Sequence, residues 1–153
     1  MALFLDTFVN KIDSKGRVSV PASFRAALKG QSFAGVVASP SAKFPAIQCA
    51  GIDWFQRLSN ELSNGELFSD ENDDLTAALF ADAKQLAFDG EGRIMLPDIL
   101  TQHAGLSDLA AFVGRGVNFE IWSPAAFESY KASARKRAFE KGRTLRPRQD
   151  GGK

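Results

Sequence analysis

Two short runs of the chain combine Asp, Gly and Arg at one spacing, which suits a tight turn that presents cations. The first run is Asp13-Ser14-Lys15-Gly16-Arg17, continuing as Val18-Ser19-Val20-Pro21. The second starts 76 residues later as Asp89-Gly90-Glu91-Gly92-Arg93, continuing as Ile94-Met95-Leu96-Pro97. A guanidinium group can bind phosphate or guanine through two hydrogen bonds. A projecting hairpin with Lys15 at its tip and Arg17 at its base could therefore approach the groove and phosphates of a nucleic acid.

The first run also has a purely structural interpretation. In a hairpin closed by Ser14-Lys15-Gly16, Asp13 and Arg17 stand on opposite strands beside the turn, so their side chains could pair and fix the loop. An exposed ion pair of this kind contributes at most about 1 kcal/mol and leaves Lys15 unexplained. The residues alone leave both interpretations open.

Each run predicts a β-hairpin that positions these side chains. Asp suits the first position of a type I turn, and Gly suits the left-handed position that closes a three-residue loop. Apolar residues alternate along each outgoing strand, at Val18 and Val20 and at Ile94 and Leu96, which places one strand face in a core. The proline that follows lacks an amide hydrogen and suits the first turn of a short helix.

The remaining elements follow from hydrophobic periodicity and turn residues. Strands are predicted within residues 1–12, 33–38, 46–49, 109–113 and 119–122. Helices are predicted after Pro21 with an end at Gly30, from Asp53, around Leu75, Ala78, Leu79 and Leu86, and from the Ser123-Pro124 cap to Lys141. Residues 46–49 align with residues 119–122, and Trp54 aligns with Phe127.

The repeated motif resembles the MraZ family of bacterial transcription regulators, whose chains carry two SpoVT-AbrB-type modules, each with an Asp-x-x-x-Arg hairpin. The resemblance extends over residues 5–21, the run Gln102-His103-Ala104-Gly105-Leu106 and the run Phe119-Glu120-Ile121-Trp122. It covers most of residues 1–130. The fold that it implies is α+β, with tandem AbrB-like modules forming a pseudo-twofold swapped-hairpin β-barrel with short flanking helices.

The two modules that the resemblance implies, together with the composition of the remaining residues, divide the chain into four parts, and the basic end departs from the better-known members of the family. The first module spans residues 5–54, and a helical acidic connector spans residues 55–80. The second module spans residues 81–127, and a basic C-terminal helix with a disordered tail spans residues 128–153. One module alone would leave exposed strand edges and little core, so two copies in one chain are expected to interleave.

The resemblance assigns roles to the two hairpins residue by residue. The DNA-binding residues that it implies are Lys15, Arg17 and Arg93. Four more residues build and position the hairpins: Asp13, Gly16, Asp89 and Gly92. Glu91 stands where the first copy has Lys15, so the second hairpin is expected to be the poorer DNA contact. For this reason Arg93 ranks below Arg17 and Lys15 as a DNA contact. Its alternative role is to hold its own turn through Asp89.

The function that the resemblance implies is sequence-specific binding of double-stranded DNA by a transcriptional regulator, a repressor in the usual case. Its target would be tandem short direct repeats ahead of the cell division and cell wall gene cluster, including its own gene. Copies of the chain would assemble into a ring that repeats the hairpin, so that weak contacts add by multivalency. The expected location is the cytoplasm, at the nucleoid.

A rival interpretation is a ring-forming interaction protein without specific DNA readout. It would hold partner proteins through the barrel and its aromatic helices, which carry Trp54, Phe55, Phe127 and Tyr130. The position of the motif cations distinguishes the two. Lys15 and Arg17 on a common exposed face favour DNA, whereas burial of both motifs between protomers favours pure assembly.

Charge is divided unevenly along the chain. The net charge is +1, but residues 131–153 carry +7 and residues 1–130 carry −6. The basic end could attract phosphates, with about one counterion released per engaged Lys or Arg, or it could simply keep the chain soluble.

Residues 61–82 contain seven acids and no Lys or Arg. This run is expected to point away from DNA, either as a solvated face or as a partner site.

Several function classes find no support in the sequence. No Gly-rich phosphate loop, metal constellation or nucleophile–histidine pattern is present, so the chain is not expected to be an enzyme. No cofactor, metal or small-molecule substrate is expected. The single cysteine, Cys49, is predicted to be a small buried apolar residue. The single histidine, His103, is predicted to have a structural role at a helix end. No apolar run approaches the length of a membrane span, and no secretion signal is visible.

Overall fold

The computed structural model of this chain describes residues 2–64 and 69–142. Its strands are β1 Thr7–Lys11, β2 Arg17–Ser19, β3 Gly35–Pro40, β4 Ala46–Ala50, β5 Lys84–Ala87, β6 Arg93–Met95, β7 Leu109–Gly114 and β8 Phe119–Trp122. Its α-helices are α1 Ala22–Ala27, α2 Ile52–Ser63, α3 Asp70–Thr76, α4 Asp98–Ala104 and α5 Pro124–Glu140. A π-helical turn, Ala77–Ala81, continues α3.

The strands form a six-stranded antiparallel sheet and a separate two-stranded ribbon. The order in the sheet is β1-β7-β8-β4-β3-β5, and the ribbon pairs β2 with β6. Strand β1 of the first half pairs with β7 of the second half, and β5 of the second half pairs with β3 of the first. Each hairpin therefore leaves its own half of the chain and pairs with the other half.

The two halves are related by an approximate twofold axis that the strand registers make visible. In the centre of the sheet Gln48 is opposite Glu120, and in the ribbon Val18 is opposite Ile94. Both pairs join residues at equivalent positions of the two halves. The axis therefore runs through the middle of the β4–β8 pair and the middle of the ribbon.

The α+β class is confirmed, with an antiparallel sheet and several short helices. A closed barrel is not detected, because in the described part of the chain no backbone ladder joins the edge strands β1 and β5. A single bridge, between Ile12 and Val18, connects β1 to the ribbon. The ribbon strands have three residues each, and a proline follows each strand closely and cannot donate to a ladder.

The main core lies between the sheet and the ribbon and is rich in phenylalanine. Phe24 of α1 is 1% exposed and packs 4.9 Å from Phe119 and 5.3 Å from Phe4, measured between ring centroids. Val18 and Ile94 cover the core from the ribbon side. The alternation that predicted a buried face for each outgoing strand is thus confirmed.

Helices α2 and α5 pack on the opposite face of the sheet. On β4, Ile47 and Cys49 belong to the main core, whereas Ala46 and Ala50 belong to two smaller clusters beneath these helices. Helix α2 is anchored by Phe55, and α5 is anchored by Phe127. The sheet thus separates the two long helices from the ribbon.

Most of the predicted elements are confirmed. Ser123 caps α5 by accepting a hydrogen bond from the Ala126 amide at 3.5 Å, and the helix ends with Lys141 as its C-cap. The short helix after Pro21 is present, as are the predicted strands. Cys49 is buried, as expected. Arg143, Arg146, Arg148 and Lys153 of the predicted disordered tail lie outside the described residues.

Two predictions were wrong. Leu86 does not belong to a helix, because the chain turns after Ala81 and Leu86 pairs with Val36 in the sheet, buried in the main core. The alignment of residues 46–49 with residues 119–122, and of Trp54 with Phe127, was displaced by one residue. The buried anchor of α2 is Phe55, and only this pairing keeps inward and outward residues of β4 and β8 equivalent.

Candidate nucleic-acid interface

The first hairpin turn is held by the carboxylate of Asp13. Its Oδ1 accepts hydrogen bonds from the amides of Lys15, at 2.9 Å, and Arg17, at 2.8 Å. Its Oδ2 accepts from Arg17 Nε at 2.7 Å. The Gly16 amide donates to the Asp13 carbonyl at 3.0 Å, and Gly16 has φ +83°. The predicted turn with a left-handed glycine is confirmed.

The second turn repeats this arrangement. Asp89 Oδ1 accepts from the amides of Glu91, at 2.8 Å, and Arg93, at 3.0 Å, and Oδ2 accepts from Arg93 Nε at 2.8 Å. Gly92 has φ +75°. The ion pair suggested by the sequence therefore exists in both copies.

These bonds favour the ionised form of both carboxylates. Hydrogen bonds from the backbone of Arg17 lower the pKa of Asp13 below its ordinary value, and those from the backbone of Arg93 do the same for the pKa of Asp89. The pKa of Arg93 is raised, first by its side-chain bond to Asp89 and to a smaller extent by Glu91 and Asp13.

The two arginines differ in what remains available for a ligand. Arg17 is bound through Nε, and its two terminal nitrogens have no partner among the described residues. Arg93 is bound in the same way, but its Nη1 also lies 3.7 Å from Glu91 Oε2. Glu91 therefore neutralises Arg93 in part, while Arg17 keeps two free donor groups.

Both arginines lie on one face of the ribbon. Arg17 is opposite Met95, and Arg93 is opposite Ser19, so strand alternation directs all four side chains away from the core. The side chains of Arg17 and Arg93 are 32% and 27% exposed. Lys15 is exposed as well. The structure thus brings the three cations of the sequence prediction to the ribbon and its turns, where each is at least partly exposed.

A fourth cation, Arg25, lies at the same place and was missed by sequence reasoning. Its Nε donates to the Val20 carbonyl at 3.1 Å. Its side chain covers the second turn so closely that a Cβ on Gly92 would stand 2.8 Å from Nη1. Arg25 belongs to the first half but reaches the hairpin of the second half. The left-handed turn already explains the recurring Gly16 and Gly92, so no sequence signal pointed to Arg25, and only the crossing of the hairpins reveals its contact.

Other polar side chains serve the scaffold. His103 Nε2 lies 3.2 Å from the Phe44 carbonyl oxygen, in keeping with the predicted role at a helix end. Glu120 is 3% exposed and accepts from Trp122 Nε1 at 2.9 Å. Burial, with Glu120 nearby, raises the pKa of the Cys49 thiol well above its ordinary value. In the described ranges no group of three or more His, Cys, Asp or Glu could hold a metal ion, and no helix is long and apolar enough to cross a membrane.

Comparison with known proteins identifies a matching family model and similar proteins from bacteria. The family model described as "MraZ protein, putative antitoxin-like" matches residues 3–40 and 79–146. The chain is 48% identical over 147 residues to "Transcriptional regulator MraZ" of Rickettsia bellii (strain OSU 85-389), covering 95% of this chain and 98% of that protein. It is 46% identical over 155 residues to the protein of the same name from Gluconacetobacter diazotrophicus, covering 99% and 98%. Both hairpin motifs lie inside the matched residues.

Proposed function

The chain belongs to the MraZ family, and on that premise we propose that it is a DNA-binding transcriptional regulator that reads DNA with the outer face of its β2–β6 ribbon. The names of its relatives support transcriptional regulation. Lys15, Arg17 and Arg93 are the proposed contact residues, with Arg17 as the principal one. Asp13, Gly16, Asp89 and Gly92 shape the turns that present them.

One observation carries this proposal: Asp13 fixes the Arg17 side chain through Nε while the two terminal nitrogens stay free. A guanidinium held in this way has lost much of its conformational freedom before binding and can still donate two parallel hydrogen bonds. A two-stranded ribbon is narrow enough to enter the major groove, which is about 12 Å wide. The ion pair is therefore compatible with both the structural and the DNA-binding interpretation of the motif. It positions the Arg17 guanidinium and leaves its terminal nitrogens free to bind a ligand.

The exposed neighbours on the ribbon fit a groove. Met95 lies opposite Arg17 and is 56% exposed, so its apolar side chain is available for contact on the same face. Apolar contact with the methyl group of thymine is one use for such a residue in the major groove. Arg25, at the second turn, supplies a further cation for a phosphate. These residues extend the proposed contact surface beyond the motif itself.

The finer architecture also belongs to this proposal. The crossing of β1 and β5 between halves supports a swapped-hairpin barrel, completed where the ribbon approaches both edge strands. The proposed modules are residues 5–54 and 81–127, separated by the acidic connector 55–80 and followed by the basic segment 128–153. Helices α2 and α5 both cross these boundaries, since they begin at Ile52 and Pro124.

We further propose that copies of the chain assemble into a ring that acts as a repressor on tandem short direct repeats. The repeats would lie ahead of the cell division and cell wall gene cluster, including the gene for this protein, so that it works at the nucleoid. One ribbon offers few contacts, and a ring would repeat them at regular intervals, so that affinity grows by multivalency.

A ring-forming interaction protein remains the second candidate. The aromatic helices that it would use are largely engaged within the chain. Phe55 and Phe127 are 5% and 6% exposed, and Tyr130 stacks on Trp122 with 5.1 Å between ring centroids. Lys15 and Arg17 lie on the solvent-facing side of the ribbon in the single chain, which is the arrangement that the DNA interpretation requires.

The test is fluorescence anisotropy with the DNA upstream of the protein's own gene and a scrambled control, across a salt series. Wild type and Arg17→Ala are compared, and sedimentation confirms that the variant keeps its oligomeric state. Tight binding to the natural DNA alone, lost in Arg17→Ala, is expected. Equal weak binding to both DNAs, unchanged by the substitution, would overturn the proposal in favour of the interaction protein.

A further inference from the structure

Helix α3 and the outer half of α5 carry opposite charge, and most of their charged side chains form no ion pair among the described residues. Helix α3 has four acids and no base: Asp70, Glu71, Asp73 and Asp74. We name it the acidic arm. Residues 131–141 hold five bases against Glu140: Lys131, Arg135, Lys136, Arg137 and Lys141. We name this segment the basic arm.

Most of these charges are exposed and unpaired. Among the described residues, none of the four carboxylates of the acidic arm forms an ion pair. The same holds for Arg135, Lys136 and Lys141 in the basic arm. Lys131 pairs with Glu128 at 3.4 Å, and Arg137 lies over the Tyr130 ring at 6.0 Å, so these two have partners on their own helix.

The twofold relation of the halves makes α2 and α5 equivalent, and each of these helices leads to one arm. The acidic arm follows α2, which leaves β4, and the basic arm is the continuation of α5, which leaves β8. These two strands run antiparallel with Ala46 opposite Trp122, so the helices start at opposite ends of the strand pair. The anchors Phe55 and Phe127 correspond. Because Phe55 is equivalent to Phe127, residues 131–141 correspond to residues 59–69, and the acidic arm begins just after them in the sequence. The chain therefore carries its positive arm on the helix of one half and its negative arm directly after the equivalent helix of the other half.

Each arm also exposes one large apolar side chain among its charges. Phe139 in the basic arm is 88% exposed, and Leu75 in the acidic arm is 36% exposed. Covering an exposed phenylalanine with a partner's apolar surface is favourable because it removes apolar area from water. A leucine on an oppositely charged helix could provide that apolar surface. Charge and apolar character are thus complementary between the two arms.

We propose that the basic arm of one copy docks on the acidic arm of a second copy. The inference rests on the self-association proposed above and names its contact. Because the two arms differ, the contact is head-to-tail and repeats from copy to copy, which gives a ring when the rotation closes. DNA is the less favoured occupant, because α5 is anchored on the sheet face opposite the ribbon that carries Arg17.

A charge-swap experiment on the full chain tests this contact. The basic-arm variant is Arg135→Glu with Lys136→Glu, and the acidic-arm variant is Asp73→Lys with Asp74→Lys. Sedimentation velocity without DNA should show each variant shifted toward the 16.6 kDa monomer. A chain with all four substitutions should recover the oligomer, because the charges are again opposite. Lys29→Glu, an exposed charge reversal outside both arms, should leave the oligomer intact.

The outcomes separate this inference from the proposed function. Wild-type assembly should weaken as salt increases, and circular dichroism should show that every variant is folded. Oligomers that survive both arm variants, a monomeric wild type, or failure of the four-substitution chain to recover would each overturn the inference. So would loss of DNA affinity in the basic-arm variant with an unchanged oligomer, which would assign the arm to DNA. Arg17→Ala should lose DNA binding and keep the oligomer.

Discussion

Arg17 and Arg93 lie diagonally across the β2–β6 ribbon on its solvent-facing side, one residue pair on either side of the Val18–Ile94 centre. Each is bound through Nε by the aspartate four residues before it, at 2.7 Å for Arg17 and 2.8 Å for Arg93. Diagonal neighbours on one sheet face are about 7–8 Å apart. The two motifs therefore form one surface, although 76 residues separate them in the sequence.

The two arginines of this surface differ in how many donor groups remain free, and the first prediction follows from that difference. Arg17→Ala should weaken binding to the natural upstream DNA by about ten- to a hundredfold, because it removes two free donor groups. Arg93→Ala should cost less, because Glu91 already neutralises part of that side chain. Arg57→Ala, on the outer helix α2, is the control and should bind as wild type does. Equal losses for Arg17→Ala and Arg93→Ala in an anisotropy titration would contradict the ranking.

Glu91→Lys should make the second hairpin resemble the first. The substitution removes the carboxylate near Arg93 Nη1 and places a cation at the tip of the turn. Affinity should rise by about three- to tenfold, and the slope of log affinity against log salt should steepen by about one phosphate contact. Glu61→Lys makes the same charge change on α2 and should have a smaller effect. An unchanged salt slope for Glu91→Lys would show that this tip does not reach a phosphate.

The core allows a prediction that is independent of DNA. Phe24 is 1% exposed and contacts Phe4, Phe8, Phe112 and Phe119, so Phe24→Ala leaves a cavity between the sheet and α1. The free energy of unfolding should fall by about 3–5 kcal/mol. Phe139→Ala, at an 88% exposed position, should change it by less than about 0.5 kcal/mol under conditions where the chain is monomeric. Urea titration of the three proteins checks both values.

The sequence was sufficient for the local structure of the hairpins, because a turn depends on neighbouring residues. Asp at the first position and Gly at the left-handed position predict the hydrogen bonds that are observed at Asp13 and Gly16. Alternating apolar residues predict the buried face of each outgoing strand for the same reason. The Asp13–Arg17 ion pair also follows from sequence spacing, since both side chains flank one turn.

Properties that depend on the pairing of distant strands could not be predicted in the same way. Leu86 fits a helical spacing that starts at Leu75, and only its pairing with Val36 in the sheet decides against the helix. The alignment of the two halves slipped by one residue because aromatic side chains occur at both Trp54 and Phe55. Burial distinguishes them, and burial is set by the sheet. Arg25 was missed because its contact with Gly92 exists only after the hairpins cross.

Arg25 gives the fourth prediction. Arg25→Gln removes its charge, so the salt slope of DNA binding should decrease by about one phosphate contact. Arg25→Lys should keep the slope, because it keeps the charge. If Arg25 only held the turn through its hydrogen bond to the Val20 carbonyl, substituting it would change thermal stability instead. The salt slope of DNA binding would then stay unchanged. Thermal unfolding of both variants therefore accompanies the salt series.

Gly92→Ala extends this prediction to the turn itself. An alanine Cβ at Gly92 would collide with the Arg25 side chain, whereas one at Gly16 would stand 3.3 Å from the Leu96 carbonyl oxygen. Both substitutions strain a left-handed residue, by about 1–2 kcal/mol. Only Gly92→Ala should also lower DNA affinity through Arg25, and it should add little in an Arg25→Gln background. Full additivity of the two substitutions would contradict a shared mechanism.

The last prediction concerns acid stability. Hydrogen bonds from the backbone of Arg17 and of Arg93 lower the pKa of Asp13 and of Asp89 below the ordinary value of 3.8. A carboxylate with a lowered folded-state pKa stabilises the fold above its unfolded-state pKa, and this contribution is lost as pH falls through the folded-state pKa. The turns should therefore weaken below about pH 4. Asp13→Asn with Asp89→Asn should be less stable than wild type at pH 7, with the difference shrinking toward pH 3. Asp74→Asn is the control, and a difference between wild type and the double variant that does not change between pH 7 and pH 3 would show that the carboxylate charges do not hold the turns.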